Sequence, residues 1–198
     1  MGNESEVLLW ASLKQGEWEA YTELYNIYFL PLSNYGYKFT RDRELIEDAI
    51  HDLFVRLWGS RKQLGDPVSV KNYLFKAMRN IILRKMKVRD RITDLEGQHY
   101  PVYFPIAFTQ NPAPADMESR ELRAKLQSYI NGLPPRQQEI IYLRFYEGSS
   151  YVEIADIMSI SINSTYKLLY KALDSLQTAL GHLPPAMLVI LFGKESFF

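Results

Sequence analysis

The stretch from Tyr151 to Leu173, YVEIADIMSISINSTYKLLYKAL, decides the fold. Ile154, Ile157 and Met158 recur at spacings of three and four, which is the period of a helix with one buried face. Ser150 stands just before them as a candidate cap, and after a four-residue break Asn163 or Ser164 can cap a second helix running to Leu180. Two short helices that cross tightly need a small residue at the closest approach, and Ala155 supplies it. Ile154, Met158, Ile160 and Leu168 fall on the expected packed face, and Ser159 stands where such turns often carry glycine. This is the spacing of a helix-turn-helix, whose second helix enters the major groove of duplex DNA. Asn163, Ser164, Tyr166, Lys167, Tyr170 and Lys171 then face outward, while Leu168, Leu169, Ala172, Leu173 and Leu176 face inward. Asn163 and Ser164 can hydrogen-bond bases or phosphates, and the two lysines can reach phosphates. The alternative is an ordinary helical hairpin with a polar outer face. The outward face has no arginine and residues 133–198 sum to a net charge of −1, so DNA binding here needs help from a second domain or a protein partner.

The helical period extends outward in both directions. Leu122, Leu126, Tyr129 and Ile130 mark a preceding helix, and Leu133-Pro134-Pro135 punctuates before Ile140, Ile141, Leu143 and Phe145. Nearer the N-terminus, Leu24, Ile27, Tyr28 and Leu32 follow Glu17, Glu19 and Glu23, with Pro31 as an expected kink. Asp42 can cap a helix with the stripe Leu45, Ile46, Ala49, Ile50, Leu53, Phe54 and Leu57. Ser69 can cap another with Tyr73, Leu74, Ala77, Met78, Ile81 and Ile82. Gly59, Gly65 and Pro67 mark the loop between them. Residues 93–115 hold four of the ten prolines and break the pattern. No strand alternation and no repeat of fixed period occurs. The expected fold class is all-α: a helical domain over residues 5–91, a proline-rich linker over 92–115, a second helical domain over 116–180, and an apolar tail over 181–198. Tyr100, Val102, Tyr103, Phe104, Ile106 and Phe108 make the linker unusually apolar. It reads equally as a tether packed loosely on one domain and as a segment buried only against a partner.

Across 198 residues, 23 basic and 23 acidic side chains cancel, a balance that taken alone argues against a nucleic-acid binder. The distribution reverses this. Residues 1–52 hold 4 basic and 10 acidic side chains, whereas residues 53–91 hold 11 basic and 2 acidic. Arg61 and Lys62 precede the Ser69-capped helix, and Lys71, Lys76, Arg79, Arg84, Lys85, Lys87, Arg89 and Arg91 lie on it or just beyond. Such density suits a phosphate backbone, and interleaved Tyr73, Phe75 and Asn80 suit unpaired bases. The bland reading is a solvated helix face. The preceding helix has the opposite character, with Glu47, Asp48 and Asp52 sharing its polar surface with His51.

Other classes are excluded. There are no cysteines, so thiolate metal sites and cysteine nucleophiles are absent. The three histidines, His51, His99 and His182, have no metal-ligand spacing, and no phosphate-binding glycine loop or nucleophile motif occurs. Neither an enzyme nor a cofactor-binding protein is expected, and no metal site. No apolar run is long enough to insert in a membrane; the run Ala186–Phe192 has seven residues. Met1–Leu13 has acids and no basic region, unlike a signal peptide, so a cytoplasmic location is expected.

Three strings carry a resemblance. Ile46-Glu47-Asp48-Ala49-Ile50-His51-Asp52-Leu53-Phe54-Val55-Arg56-Leu57-Trp58 resembles region 2.2 of extracytoplasmic-function sigma factors, in the sigma-70 superfamily of bacterial RNA polymerase factors. Val70-Lys71-Asn72-Tyr73-Leu74-Phe75-Lys76-Ala77-Met78-Arg79-Asn80 resembles their regions 2.3 and 2.4. Leu133-Pro134-Pro135-Arg136-Gln137-Gln138-Glu139 with Tyr151-Val152-Glu153-Ile154-Ala155 resembles region 4. The resemblance covers about residues 17–91 and 116–180. It implies a protein that directs transcription initiation in answer to an envelope or extracellular signal. Its implied partners are the core polymerase (the clamp helices of the largest subunit, and the flap), promoter DNA and an anti-sigma factor. Asp48, His51, Asp52 and Val55 would meet the clamp. The loop from Arg61 to Ser69 (Arg61 and Lys62 among its residues), with Lys71, Asn72, Arg79 and Asn80, would capture unpaired bases of the −10 element. Asn163, Ser164, Tyr166, Lys167, Tyr170 and Lys171 would read the −35 element, and the linker would run towards the polymerase active-site channel. His51 stands where the family often has glutamine, and Tyr166 where a small apolar residue is common. The competing readings are a helix-turn-helix regulator that binds duplex DNA without polymerase, its N-terminal domain sensing a ligand, and a protein-interaction adaptor that binds no DNA. The first leaves the basic block over 53–91 without a purpose.

Overall fold

A computed structural model describes residues 3–94, 126 and 128–180. The chain separates into two compact units, Met1–Val102 and Tyr103–Phe198. Every regular element among the described residues is helical, as the period required. The linker aromatics between Tyr100 and Phe108, Leu122, and the apolar run Ala186–Phe192 lie outside the described residues.

The first unit contains α1 (Asn3–Gln15), α2 (Trp18–Gly36), α3 (Arg43–Gly59) and α4 (Val70–Asp94), with a single 3-10 turn at Arg61–Gln63. The caps are those the sequence offers. The Asp42 carboxylate accepts from the Leu45 amide at 3.1 Å, and the Ser69 hydroxyl accepts from the Asn72 amide at 3.3 Å. The stripes meet in one core: Leu24 and Leu32 of α2, Ile46, Ile50 and Phe54 of α3, and Leu74, Phe75, Met78 and Ile82 of α4 are all buried. Burying each such side chain stabilises the fold by about 1.5–3 kcal/mol relative to leaving it in water. α2 runs as one helix through Pro31, with buried Tyr28 before the proline and buried Leu32 and Tyr35 after it. The three helices crowd together at Gly36. A methyl group there would lie 2.7 Å from Ile46 Cγ2 and 3.1 Å from Met78 Cε.

In the second unit, helical residues 128–131 lead to α5 (Pro135–Ile141), a π-helical turn (Tyr142–Tyr146), α6 (Tyr151–Met158) and α7 (Ile162–Leu180). Pro135 sits in the first turn of α5, where its missing N–H costs nothing. The Gln138 amide nitrogen donates to Leu133 O at 2.6 Å and Asn131 O at 3.1 Å, closing the turn before α5. The π-helical turn was not foreseen. The Tyr142 hydroxyl donates to Glu147 at 2.7 Å across it, and burial pushes that phenol's pKa up. α6 opens with a full capping box, in which Ser150 Oγ accepts from the Glu153 amide and Glu153 accepts from the Ser150 amide. Ser159 ends it with φ 53° and ψ 51°, the left-handed conformation glycine takes most easily.

Two details of the helix-turn-helix differ from expectation. The cap of α7 is Ser161, whose hydroxyl accepts from the Ser164 amide at 3.1 Å, so Asn163 and Ser164 belong to the first turn itself. Thr165 is 0% exposed and turns into the core, its hydroxyl donating to Ser161 O at 3.1 Å. That bond lets a polar residue be buried without loss. Leu169, Ala172 and Leu176 are buried as expected, whereas Ile160, Leu168 and Leu173 are only half-buried.

Candidate nucleic-acid interface

α3 shows its polar face along one line. Asp48, His51, Asp52 and Val55 stand at spacings of three and four. Asp48 and His51 are exposed, Val55 is 51% exposed, and Asp52 is half-buried. Lys85 of α4 pairs with Asp52 at 2.9 Å. The hydrogen bond from that ammonium holds the Asp52 carboxyl below the ordinary carboxylate range, against partial desolvation. Arg89 pairs likewise with the capping residue Asp42. Two cations of the basic block therefore tie α4 to α3, a task the charge pattern alone does not separate from phosphate binding.

The residues expected to face the −10 element differ in exposure and in the contacts they make. The Arg61 guanidinium lies over the Trp58 ring at 4.4 Å, and its Nη1 donates to Trp58 O at 2.8 Å. Lys62 is exposed beside it. The Lys71 ammonium lies 5.5 Å from the Phe75 ring centroid. Asn72 is only 8% exposed, and Arg79 is half-buried. Asn80 is exposed, and it alone of this set lines a cleft of about 230 Å³ between α3 and α4. The floor is Leu53, Leu57 and Ile81; the rim is Arg56, Tyr73, Asn80 and Arg84. An aromatic ring, an amide and two guanidiniums around an apolar floor are the groups that stack on a splayed base, read its edge and pair with its phosphate. Of the aromatic residues read as suited to unpaired bases, Tyr73 lines this cleft whereas Phe75 is buried in the core; Arg56 and Arg84 were not singled out from the other cations. Tyr73, Ala77, Asn80, Ile81 and Arg84 do share one helical face by spacing, which is the signal that could have found them.

On the second unit, Asn163, Ser164, Tyr166, Lys167, Tyr170 and Lys171 are all exposed on α7. They form one outward surface beginning at the helix N-terminus. The Tyr166 ring stacks on Tyr151 with centroids 4.2 Å apart, and the Arg144 guanidinium lies 5.1 Å from the other ring, that of Tyr151. Tyr151 and Arg144 were not among the expected site residues, because they come from α6 and the π-helical turn.

Residues 24–92 match the family model for Sigma-70 region 2, and residues 123–176 match that for Sigma-70, region 4. The two matches together cover more than half of the chain. The chain belongs to the sigma-70 family, with the region 2 and region 4 layout of its extracytoplasmic-function members. It is 26% identical over 159 residues to the ECF RNA polymerase sigma factor SigM of Bacillus subtilis, covering 78% of this chain and 91% of that protein. It is 29% identical over 135 residues to "Probable RNA polymerase sigma factor RfaY" of Xanthomonas campestris pv. campestris, covering 67% of this chain but only 33% of that longer protein. In fold it is similar to the sigma factor RpoE of Bartonella quintana, solved in complex with the anti-sigma factor NepR, with TM-score 0.60, 21% identity, and 80% and 95% of the two chains covered. It is also similar to CnrH, solved in complex with the cytosolic domain of CnrY, with TM-score 0.56, 18% identity, and 88% and 96% covered.

Among the described residues no group of histidine, aspartate and glutamate could hold a metal ion, and no helix is long and apolar enough to cross a membrane.

Proposed function

We propose that the protein is a non-catalytic sigma factor that binds core RNA polymerase in the cytoplasm and directs transcription initiation in answer to an envelope or extracellular signal. The carrying observation is the α3–α4 cleft: Asn80 and Tyr73 would take an unpaired base of the −10 element, with Arg56 and Arg84 on the adjoining phosphates. Arg61, Lys62, Lys71 and Arg79 would add longer-range attraction, and buried Asn72 would act by shaping the start of α4. The α3 line of Asp48, His51, Asp52 and Val55 would dock on the polymerase clamp. The outward residues of α7 would read the −35 element in the major groove. The working units are residues 5–91 and 116–180. An anti-sigma factor is the expected regulator, as in the complex of the Bartonella relative.

The net charge of zero has a functional meaning. Neither unit need hold DNA tightly alone, since polymerase presents both to one promoter and multiplies weak contacts. The test is to add the full chain to core polymerase and map initiation on a genomic library. Specific start sites sharing a −10 and a −35 sequence are expected. Nanomolar sequence-specific duplex binding by the chain without polymerase would instead support the regulator, and neither behaviour would support an adaptor.

A further inference from the structure

The loop between α3 and α4, residues 60–69, contains Gly65 and Pro67 and exposes Val68 almost completely. Such a loop has little packing of its own, and ordering it costs about 1–2 kcal/mol per residue in backbone entropy. Its course is set from α1. The indole nitrogen of Trp10 donates to Gly65 O at 3.0 Å, and the Trp10 ring meets Tyr73 edge-on, centroids 5.1 Å apart. Trp10 is itself 2% exposed, so the donor side of the bond is fixed in the packed interior. One turn further on, Lys14 pairs with Asp66 at 2.6 Å. Beyond the end of α1, Gly16 takes φ 89° and comes so near Arg61 that a methyl group there would lie 3.4 Å from its Nε. Trp10 and Lys14 of α1, with Gly16 just after it, thus reach Arg61, Gly65 and Asp66 in the loop and Tyr73 just past it.

Resting on the sigma-factor reading, we propose that α1 is a positioning element for −10 recognition, acting through Trp10 and secondarily Lys14. α1 lies ahead of the residues matched by the region 2 family model, which begin at 24. Trp10 bridges two parts of the interface: Gly65 in the loop and Tyr73 on the rim of the cleft. Losing its hydrogen bond frees the loop relative to the cleft while leaving α7 untouched. Lys14 contributes less, because Asp66 is largely exposed and such pairs add little.

The experiment reconstitutes holoenzyme from core polymerase and the full chain, and measures base preference on promoters randomised separately at −10 and −35. Trp10→Phe keeps a ring near Tyr73 and removes the donor to Gly65, together with part of the buried indole's volume. Measured well below the variant's melting temperature, which the lost volume lowers, it should flatten the −10 preference about fivefold with the −35 preference nearly unchanged. A −10 preference within twofold of wild type, or equal flattening at both elements, overturns the proposal. Should Trp10→Phe lose its cooperative melt, Lys14→Met carries the same test on the exposed arm. About twofold flattening at −10 alone is then expected, and none overturns it. A wild-type chain that drives no specific initiation defeats the sigma-factor reading and this proposal together, whereas normal initiation with unaltered variants defeats this proposal alone.

Discussion

Tyr166 reaches the outer face of α7 already held against Tyr151, the two rings 28° from parallel. A recognition-helix side chain that is fixed before binding loses less freedom on meeting DNA. Stacking of this kind is worth about 0.5–1.5 kcal/mol beyond the area it buries. Tyr151→Ala should therefore lower initiation at promoters that depend on their −35 element by roughly 2- to 10-fold, with Tyr151→Phe close to wild type. Transcription in vitro from templates with matched and scrambled −35 elements checks this. Equal losses on both templates would assign Tyr151 a purely structural role.

The contact between Gly36 and Ile46 makes a stability prediction. Gly36→Ala adds a methyl group 2.7 Å from Ile46 Cγ2 in a buried site. The helical backbone itself favours alanine, by about 1 kcal/mol. Overpacking at the junction of α2, α3 and α4 outweighs that gain, and a net loss of about 1–2 kcal/mol is expected. Thermal or denaturant unfolding of the full chain measures it; a stabilised variant would mean that the helices can separate freely at this point.

Ser159 is the opposite case. It is the one non-glycine residue with positive φ among the described residues, and it ends α6 at the turn of the helix-turn-helix. The left-handed conformation costs a residue with a Cβ about 1–2 kcal/mol, against the larger unfolded-state entropy of glycine, about 0.5–1 kcal/mol. Ser159→Gly should raise stability by roughly 0.5–1 kcal/mol. A shift in the denaturant midpoint at constant slope is the readout.

The Asp52–Lys85 pair ties the proposed clamp face to α4, and it titrates. Its carboxyl is held below the ordinary carboxylate range in the folded chain by the Lys85 ammonium. The stabilisation is therefore present above the unfolded carboxylate pKa and disappears as pH falls through the lower folded value. Lys85→Met should cost at most about 1 kcal/mol at neutral pH, since both partners are partly exposed. The gap from wild type should close in acid. Unfolding curves collected from neutral to acidic pH test the sign; a gap that widens in acid would refute it.

The caps at Asp42, Ser69 and Ser150 and most of the buried stripes of α2, α3 and α4 were legible in the sequence; Tyr73, expected in the α4 stripe, is exposed, and Phe75, expected beside unpaired bases, is buried. A cap is a contact between residues three apart, and a stripe follows from the 3.6-residue period, so both are local. The outward face of α7 was legible for the same reason: its six candidate residues are all exposed. The capping of α7 was misjudged by two or three residues because Ser161, Asn163 and Ser164 are all acceptable caps, and only the position of the turn chooses among them.

The lining of the α3–α4 cleft was not legible. Lys71, Asn72, Arg79 and Asn80 are equally polar and close in sequence, yet the packing of α4 on α3 buries Asn72, half-covers Arg79 and opens a cleft at Asn80. That packing brings Arg56 from one helix beside Arg84 from the other and spends Lys85 and Arg89 on ion pairs. The amino-acid order by itself determined the helices, their caps, the division of charge and the family, since these depend on neighbours within a turn or two and on the order of motifs. Which cations line the α3–α4 cleft, which pair across the fold and what contacts the loop between the helices were decided only in three dimensions. Those outcomes hang on contacts between residues as far apart as Trp10 and Gly65, for which local period and charge carry no signal.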